Sequence, residues 1–104
     1  MGRKRPERTE RRTRERAARQ LVRDREKLAA LSPGGGETHP IVVTSSAVID
    51  VRINAMPCPQ CEGQYRLVEH AAPGAGLRKV DVTCRLCGVS RVLWFRLAPV
   101  DEPN

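Results

Sequence analysis

Aromatic residues are scarce in this chain: Tyr65, Trp94 and Phe95 are the only three among 104 residues. So few large side chains cannot fill an extensive core, and a module of this size needs another source of stability. Histidine is scarcer still, with only His39 and His70. The sequence holds no Ser/His/Asp set and no paired acid site. Its one glycine run, Gly34-Gly35-Gly36, lies between a helical and a β-rich stretch, the wrong context for a phosphate-cradling loop. These absences argue against an enzyme and against a small-molecule substrate. No run approaches the roughly 20 apolar residues that a membrane helix requires. The N-terminus is charged with no apolar stretch behind it, so the expectation is a soluble, cytoplasmic protein with no membrane partner.

Net charge is absent from most of the chain as well. Residues 37 to 104 carry seven basic and seven acidic groups, whereas residues 1 to 36 carry twelve basic and five acidic ones. The whole formal charge of +7 therefore belongs to the first third. Arginine outnumbers lysine 16 to 3, so that first third is Arg-rich.

Against this background stand four cysteines in two turns, Cys58-Pro59-Gln60-Cys61 and Cys84-Arg85-Leu86-Cys87-Gly88, with 22 residues between them. Two C-x2-C turns at this separation have the spacing of a four-thiolate zinc site. In a reducing compartment such pairs are metal ligands rather than disulfides. Cys58, Cys61, Cys84 and Cys87 are accordingly the predicted ligands of one structural zinc ion. A mononuclear iron centre like that of rubredoxins uses similar turns and is the alternative metal, although rubredoxins are acidic and rich in aromatics. Four cysteines complete a tetrahedral shell and leave no position for water, which excludes zinc catalysis. Pro59 fixes φ inside the first turn, and Gly63 and Gly88 are expected to supply a positive φ at the exits. His39 and His70, not needed as ligands, are expected to be exposed.

Residues 1–31 form a basic arm, helical or disordered. Glu7/Arg11, Glu10/Arg14 and Glu15/Arg19 stand i, i+4 with the acid first, the favourable order, each pair adding about 0.2–0.5 kcal/mol to a helix. Ser32 to Pro40 reads as a flexible Pro/Gly linker that lets arm and module move independently. From Ile41 the pattern turns to β: Ile41 to Val43, then Val48 to Ile53 with Ile49, Val51 and Ile53 alternating against polar residues. Further strands are expected at Gln64 to His70, Leu77 to Thr83 and Val89 to Leu97, with Ala71 to Gly76 as a hairpin loop. Trp94 and Phe95 must point to opposite faces of their strand, one into the core and the other covered by Ile41 to Ile53. Residues 41–98 form the cysteine module and 99–104 a polar tail.

Cys58-Pro59-x-Cys61, Tyr65-Arg66-Leu67, Gly76 and Val82-x-Cys84-x-x-Cys87-Gly88 together resemble the short bacterial zinc-ribbon modules. The resemblance covers about residues 56 to 97. It implies a small metal-stabilised β fold, a three-stranded antiparallel zinc ribbon, here with an extra N-terminal β segment. It also implies one structural zinc and a role in recognition or architecture. Ribbons of transcript-cleavage factors carry an acidic pair at the hairpin tip; Ala71 to Gly76 holds no acid, which excludes that activity.

Function is then expected from the arm. Arg3, Lys4, Arg5, Arg8, Arg11, Arg12, Arg14, Arg16 and Arg19 would neutralise phosphates and make this a nucleic-acid-associated binding or adaptor protein. The alternative is a protein-recruitment module whose basic helix docks on an acidic partner.

Overall fold

A computed structural model of the chain describes residues 4–98, with side chains from Glu7 onward. Arg3 and the tail 99–104 lie outside the described residues. The first element, α1 (Lys4–Leu31), is a single 28-residue helix. Its Ala, Leu, Arg, Glu and Gln content favours helix along its whole length, and Pro6 sits in the first turn, where its missing N–H is not needed. The three i, i+4 pairs do not close: among the described residues the ion pair is Arg91–Glu26, between α1 and the sheet.

The helix stops with several caps in succession. The Ser32 N–H and hydroxyl both donate to the Leu28 carbonyl, at 3.0 and 2.7 Å. The His39 ring donates from Nε2 to the Ala30 carbonyl at 2.7 Å, which fixes its tautomer and leaves Nδ1 to accept from the Thr38 hydroxyl. His39 is thus a half-buried helix cap rather than a free exposed side chain, whereas His70 is exposed as expected. The 32–40 segment is a hydrogen-bonded turn. Gly35 N–H reaches the Ser32 carbonyl at 2.9 Å, Gly34 N–H the His39 carbonyl at 2.8 Å, and Gly34 accepts from Trp94 N–H at 2.7 Å.

The remaining elements are β1 (Ile41–Val43), α2 (Ser46–Ala55), β2 (Tyr65–Gly74), β3 (Leu77–Cys84) and β4 (Ser90–Leu97). They build a four-stranded sheet in the order β1-β4-β3-β2. β2, β3 and β4 pair antiparallel, while β1 runs parallel to β4 with Ile41 opposite Phe95 and Val43 opposite Leu97. The sheet is therefore mixed and four-stranded, which corrects the expected three-stranded ribbon with an appended β segment.

The second correction is α2. Val48 to Ile53 was expected as a strand, but it is helical, with Ile49 and Ile53 buried and Val51 exposed at 66%. Alternation of three β-branched residues fits a strand, yet Ile49 and Ile53 are also i, i+4 and share one helix face. Packing that face on the sheet outweighs the few tenths of a kcal/mol by which β-branched residues disfavour helix. The core lies between α2 and one face of the sheet, where Tyr65, Val80, Val82, Leu93 and Phe95 meet Ile41, Val43, Ile49 and Ile53. Phe95 is fully buried, and burial of such a side chain contributes about 1.5–3 kcal/mol. Trp94 points to the other face and is half-buried, lining a groove with Ala29 and Ala30 of the α1 end and Gly35 of the turn that follows, rather than lying under residues 41 to 53.

The expected loop at Ala71 to Gly76 is shorter than the sequence implied. β2 continues to Gly74, paired with Leu77, and leaves a two-residue turn, Ala75-Gly76. Pro73 is accommodated because β2 is an edge strand and the ladder is irregular between Ala71 and Gly74, where no N–H is required.

Candidate metal centre

Both cysteine turns lie at one end of the sheet. The first leads into β2, and the second joins β3 to β4. Each closes by the same two backbone bonds. Cys58 N–H donates to the Gly63 carbonyl and Cys84 N–H to the Val89 carbonyl, both at 2.9 Å and both five residues on. Glu62 N–H returns to the Cys58 carbonyl at 2.7 Å, and Gly88 N–H to the Cys84 carbonyl at 3.0 Å. Arg85 N–H donates to the Gln64 carbonyl at 2.8 Å and ties the two turns together.

This folding brings all four sulfurs within 4.8 Å of one another. Cys58 Sγ lies 3.8 Å from Cys87 Sγ, and Cys61 Sγ lies 3.4 Å from Cys84 Sγ. A tetrahedron of thiolates about 2.3 Å from a central ion has edges of about 3.8 Å, so the four cysteines can hold one metal ion. Backbone amides support the charge that ligation requires. Gly63 N–H points at Cys61 Sγ at 3.3 Å, and Leu86 and Cys87 N–H both point at Cys84 Sγ at 3.4 Å. The two cysteines titrate in opposite directions. Amide donation from Cys87 and Leu86 outweighs burial and brings Cys84 down to about 6. At Cys61 the Gly63 amide pulls downward, but burial and its three cysteine neighbours together push the thiol up to about 12. Ligation needs thiolates, so a bound cation must displace the protons that the thiols still carry.

One of the two turn exits departs from expectation. Gly88 takes φ 78°, but in the first turn the positive φ falls on Glu62, at 64°. Gly63 is there for space. A Cβ on it would lie 2.7 Å from the Leu86 Cβ, 3.0 Å from Cys84 Sγ and 3.1 Å from Cys61 Sγ.

A polar network not foreseen from the sequence joins this centre to α1. Arg91 of β4 makes two parallel 2.7 Å bonds to the Glu26 carboxylate and donates from Nε to the Tyr65 hydroxyl at 2.9 Å. Gln60, inside the first cysteine turn, donates to Glu26 at 2.6 Å and to the Val22 carbonyl at 2.9 Å, and its own carbonyl accepts from Arg25 at 2.9 Å. The Arg91 bonds hold the Glu26 carboxyl below its ordinary range despite partial burial, while burial raises the Tyr65 phenol against the opposing effect of Arg91. One signal was available: the alternation of β4 places Arg91 on the same face as Leu93 and Phe95, and a guanidinium on an apolar face needs an anion.

The predicted basic residues lie far from this centre. Arg8, Arg11, Arg12, Arg14, Arg16 and Arg19 are all exposed along α1, before its docked end; Lys4 and Arg5 are in the same helix, their side chains outside the described residues. The cleft between the α1 end and the sheet measures 190 Å³ and is lined by Arg25, Leu28, Met56, Tyr65 and Leu93 among others. That is below the roughly 300 Å³ at which ordinary ligand pockets begin. Among the described residues no helix is long and apolar enough to cross a membrane. No protein-family model matches this chain. No curated protein is detectably similar to it, and no solved structure is either.

Proposed function

We propose that this is a non-enzymatic zinc-ribbon-like protein: a module closed by one structural zinc, which carries α1 as an arm for nucleic acid. The observation that carries the reading is the separation of charge, with an exposed, Arg-rich α1 extending from a sheet module of no net charge. Four thiolate donors favour zinc over the oxygen-seeking cations, and a shell filled by cysteine has no open position for a reacting water. The zinc therefore acts through folding, and the contact with a polyanion falls to the helix.

Binding of this kind comes from phosphate neutralisation and counterion release, without reading of bases. Fluorescence anisotropy of a labelled 20-base-pair duplex with the full zinc-loaded chain tests it. Affinity should fall about 10³-fold between 50 and 200 mM salt if six or more phosphates are contacted. An absence of binding at 50 mM salt would reject nucleic acid and leave the acidic-protein partner as the reading for the same helix.

A further inference from the structure

The basic residues of α1 are not spread evenly around it. At 100° per residue, Arg8, Arg12, Arg16, Arg19, Arg23 and Lys27 fall within an arc of about 100° that runs the length of the helix. At 1.5 Å per residue this row is about 28 Å long, with a cation about every turn. All six side chains are exposed. No carboxylate pairs with any of them among the described residues, and Arg23 donates only to the neutral Gln20 amide. Two acids lie at the margin of the arc: Glu26 is turned to the sheet and held by Arg91, and Glu15 stands about 20° outside it without closing on Arg19.

The docked side of the same helix points elsewhere. Val22, Arg25, Glu26 and Ala29, which meet Gln60, Arg91 and the cleft over Tyr65, centre about 100° around the axis from the middle of the row. Docking therefore fixes the rotation of α1 and leaves the row exposed; the module reaches that flank at Ala30, beyond Lys27, in the groove with Trp94. Arg11 and Arg14 fall on the docked side of the helix, beyond its last contact, and have Glu7, Glu10 and Glu15 around them.

We propose that this row, Arg8, Arg12, Arg16, Arg19, Arg23 and Lys27, is the nucleic-acid-binding face, laid along one phosphate strand of a duplex and set in orientation by the Gln60–Glu26–Arg91 contacts. The inference rests on the nucleic-acid reading above and adds which face of the helix binds. Charge complementarity selects the occupant. A row of guanidinium and ammonium groups, with no large apolar residue among them and its one acid, Glu26, already taken by Arg91, matches a continuous line of phosphates.

The test compares two double variants of the full chain that lose equal charge. Arg12→Gln with Arg19→Gln removes two members of the row, and Arg11→Gln with Arg14→Gln removes two cations from the other side; Gln preserves helix propensity. Circular dichroism and zinc content should be unchanged in both. With a labelled 20-base-pair duplex at 100 mM salt, the row pair should lose tenfold or more in affinity, and the slope of log K against log salt should flatten by about 2. The other pair should lose less than threefold. Equal losses from the two pairs would overturn the face assignment while leaving nucleic-acid binding standing. Absence of duplex binding by the unaltered chain would instead reject the underlying reading. Poly-glutamate competing as strongly as unlabelled duplex would assign the row to an acidic protein and overturn the phosphate assignment.

Discussion

The two cysteine turns share a backbone plan and differ in nearly everything else. Each closes with a bond from its first cysteine N–H to a carbonyl five residues on, and each requires a left-handed residue four positions after that cysteine. In the second turn glycine fills that position and Val89 follows it; in the first, glutamate fills it and Gly63 follows. Identical backbone demands are thus met by different residues because the surroundings differ. Past the first turn two sulfurs and the Leu86 Cβ crowd the chain, whereas nothing lies within 4 Å of a Cβ placed on Gly88. The turns also differ in what they touch. Gln60 ties the first to Val22 and Glu26 of α1, while Leu86 and Cys87 of the second are exposed.

The largest expected effect treats the turns alike. A structural zinc supplies on the order of 10 kcal/mol of folding energy, comparable with the whole stability of a small domain. Removal of the metal with a strong chelator, or Cys61→Ser and Cys87→Ser separately, should therefore unfold residues 56 to 97. The near-UV circular dichroism of Trp94 and Tyr65 reports this. A native spectrum in protein verified to be metal-free, or full tolerance of serine in one turn alone, would break the equivalence.

Gly63→Ala should come next, with no equivalent in the second turn. The added methyl meets the Leu86 Cβ at 2.7 Å and two of the cysteine sulfurs at 3.0 and 3.1 Å, so the two turns must shift apart. Overpacking of this kind costs about 1–3 kcal/mol, and here it should appear as faster zinc loss to a competing chelator. Unchanged zinc retention would mean that the sulfurs are not held at these distances.

The contacts of the first turn with α1 predict a smaller loss. Glu26→Gln keeps the shape but removes the carboxylate from Arg91. The pair is partly exposed, 39% on the Glu26 side, so the expected loss is about 1 kcal/mol at most. The sign of the pH dependence follows from the lowered Glu26 pKa. Its contribution is complete above the ordinary carboxylate range and disappears only as pH falls through the depressed value. The stability gap between the two proteins, measured by urea unfolding of the zinc-loaded forms, should therefore be constant from pH 8 to 5.5. A gap that narrows across that window would contradict the lowered pKa.

How much of this the sequence made legible depended on whether a signal was local. Cysteine spacing marks the ligands because two sulfurs per turn is a property of four consecutive residues, and β3 and β4 were readable because alternation is local too. The Ile49 to Ile53 stretch was not: its three β-branched residues satisfy a two-residue period and a helical i, i+4 pair at once, and only burial against the sheet decides. The parallel β1–β4 pairing and the Gln60–Glu26–Arg91 contacts join residues more than 30 positions apart, which no short window contains. The exchange of roles between Glu62 and Gly63 was hidden because the Cys61-x-Gly63 string suggested a conformational glycine where a steric one was needed.

That exchange gives the finest test of the comparison. At Glu62 a side chain is held at φ 64°, a region that costs a non-glycine residue about 1–2 kcal/mol, and Glu62 is exposed. Replacement by glycine removes the strain but adds about 0.5–1 kcal/mol of chain entropy to be lost on folding. Glu62→Gly should thus stabilise the zinc-loaded protein by no more than about 1 kcal/mol. Gly88→Ala reverses the terms: φ 78° is retained, no contact opposes the methyl, and the protein should lose about 1 kcal/mol through conformation alone. Urea midpoints at matched zinc occupancy measure both, and the opposite signs are what the shared backbone plan requires. If Glu62→Gly destabilised the protein, the Glu62 side chain would be holding the first turn by an interaction that the second turn lacks, and the two turns would cease to be variants of one design.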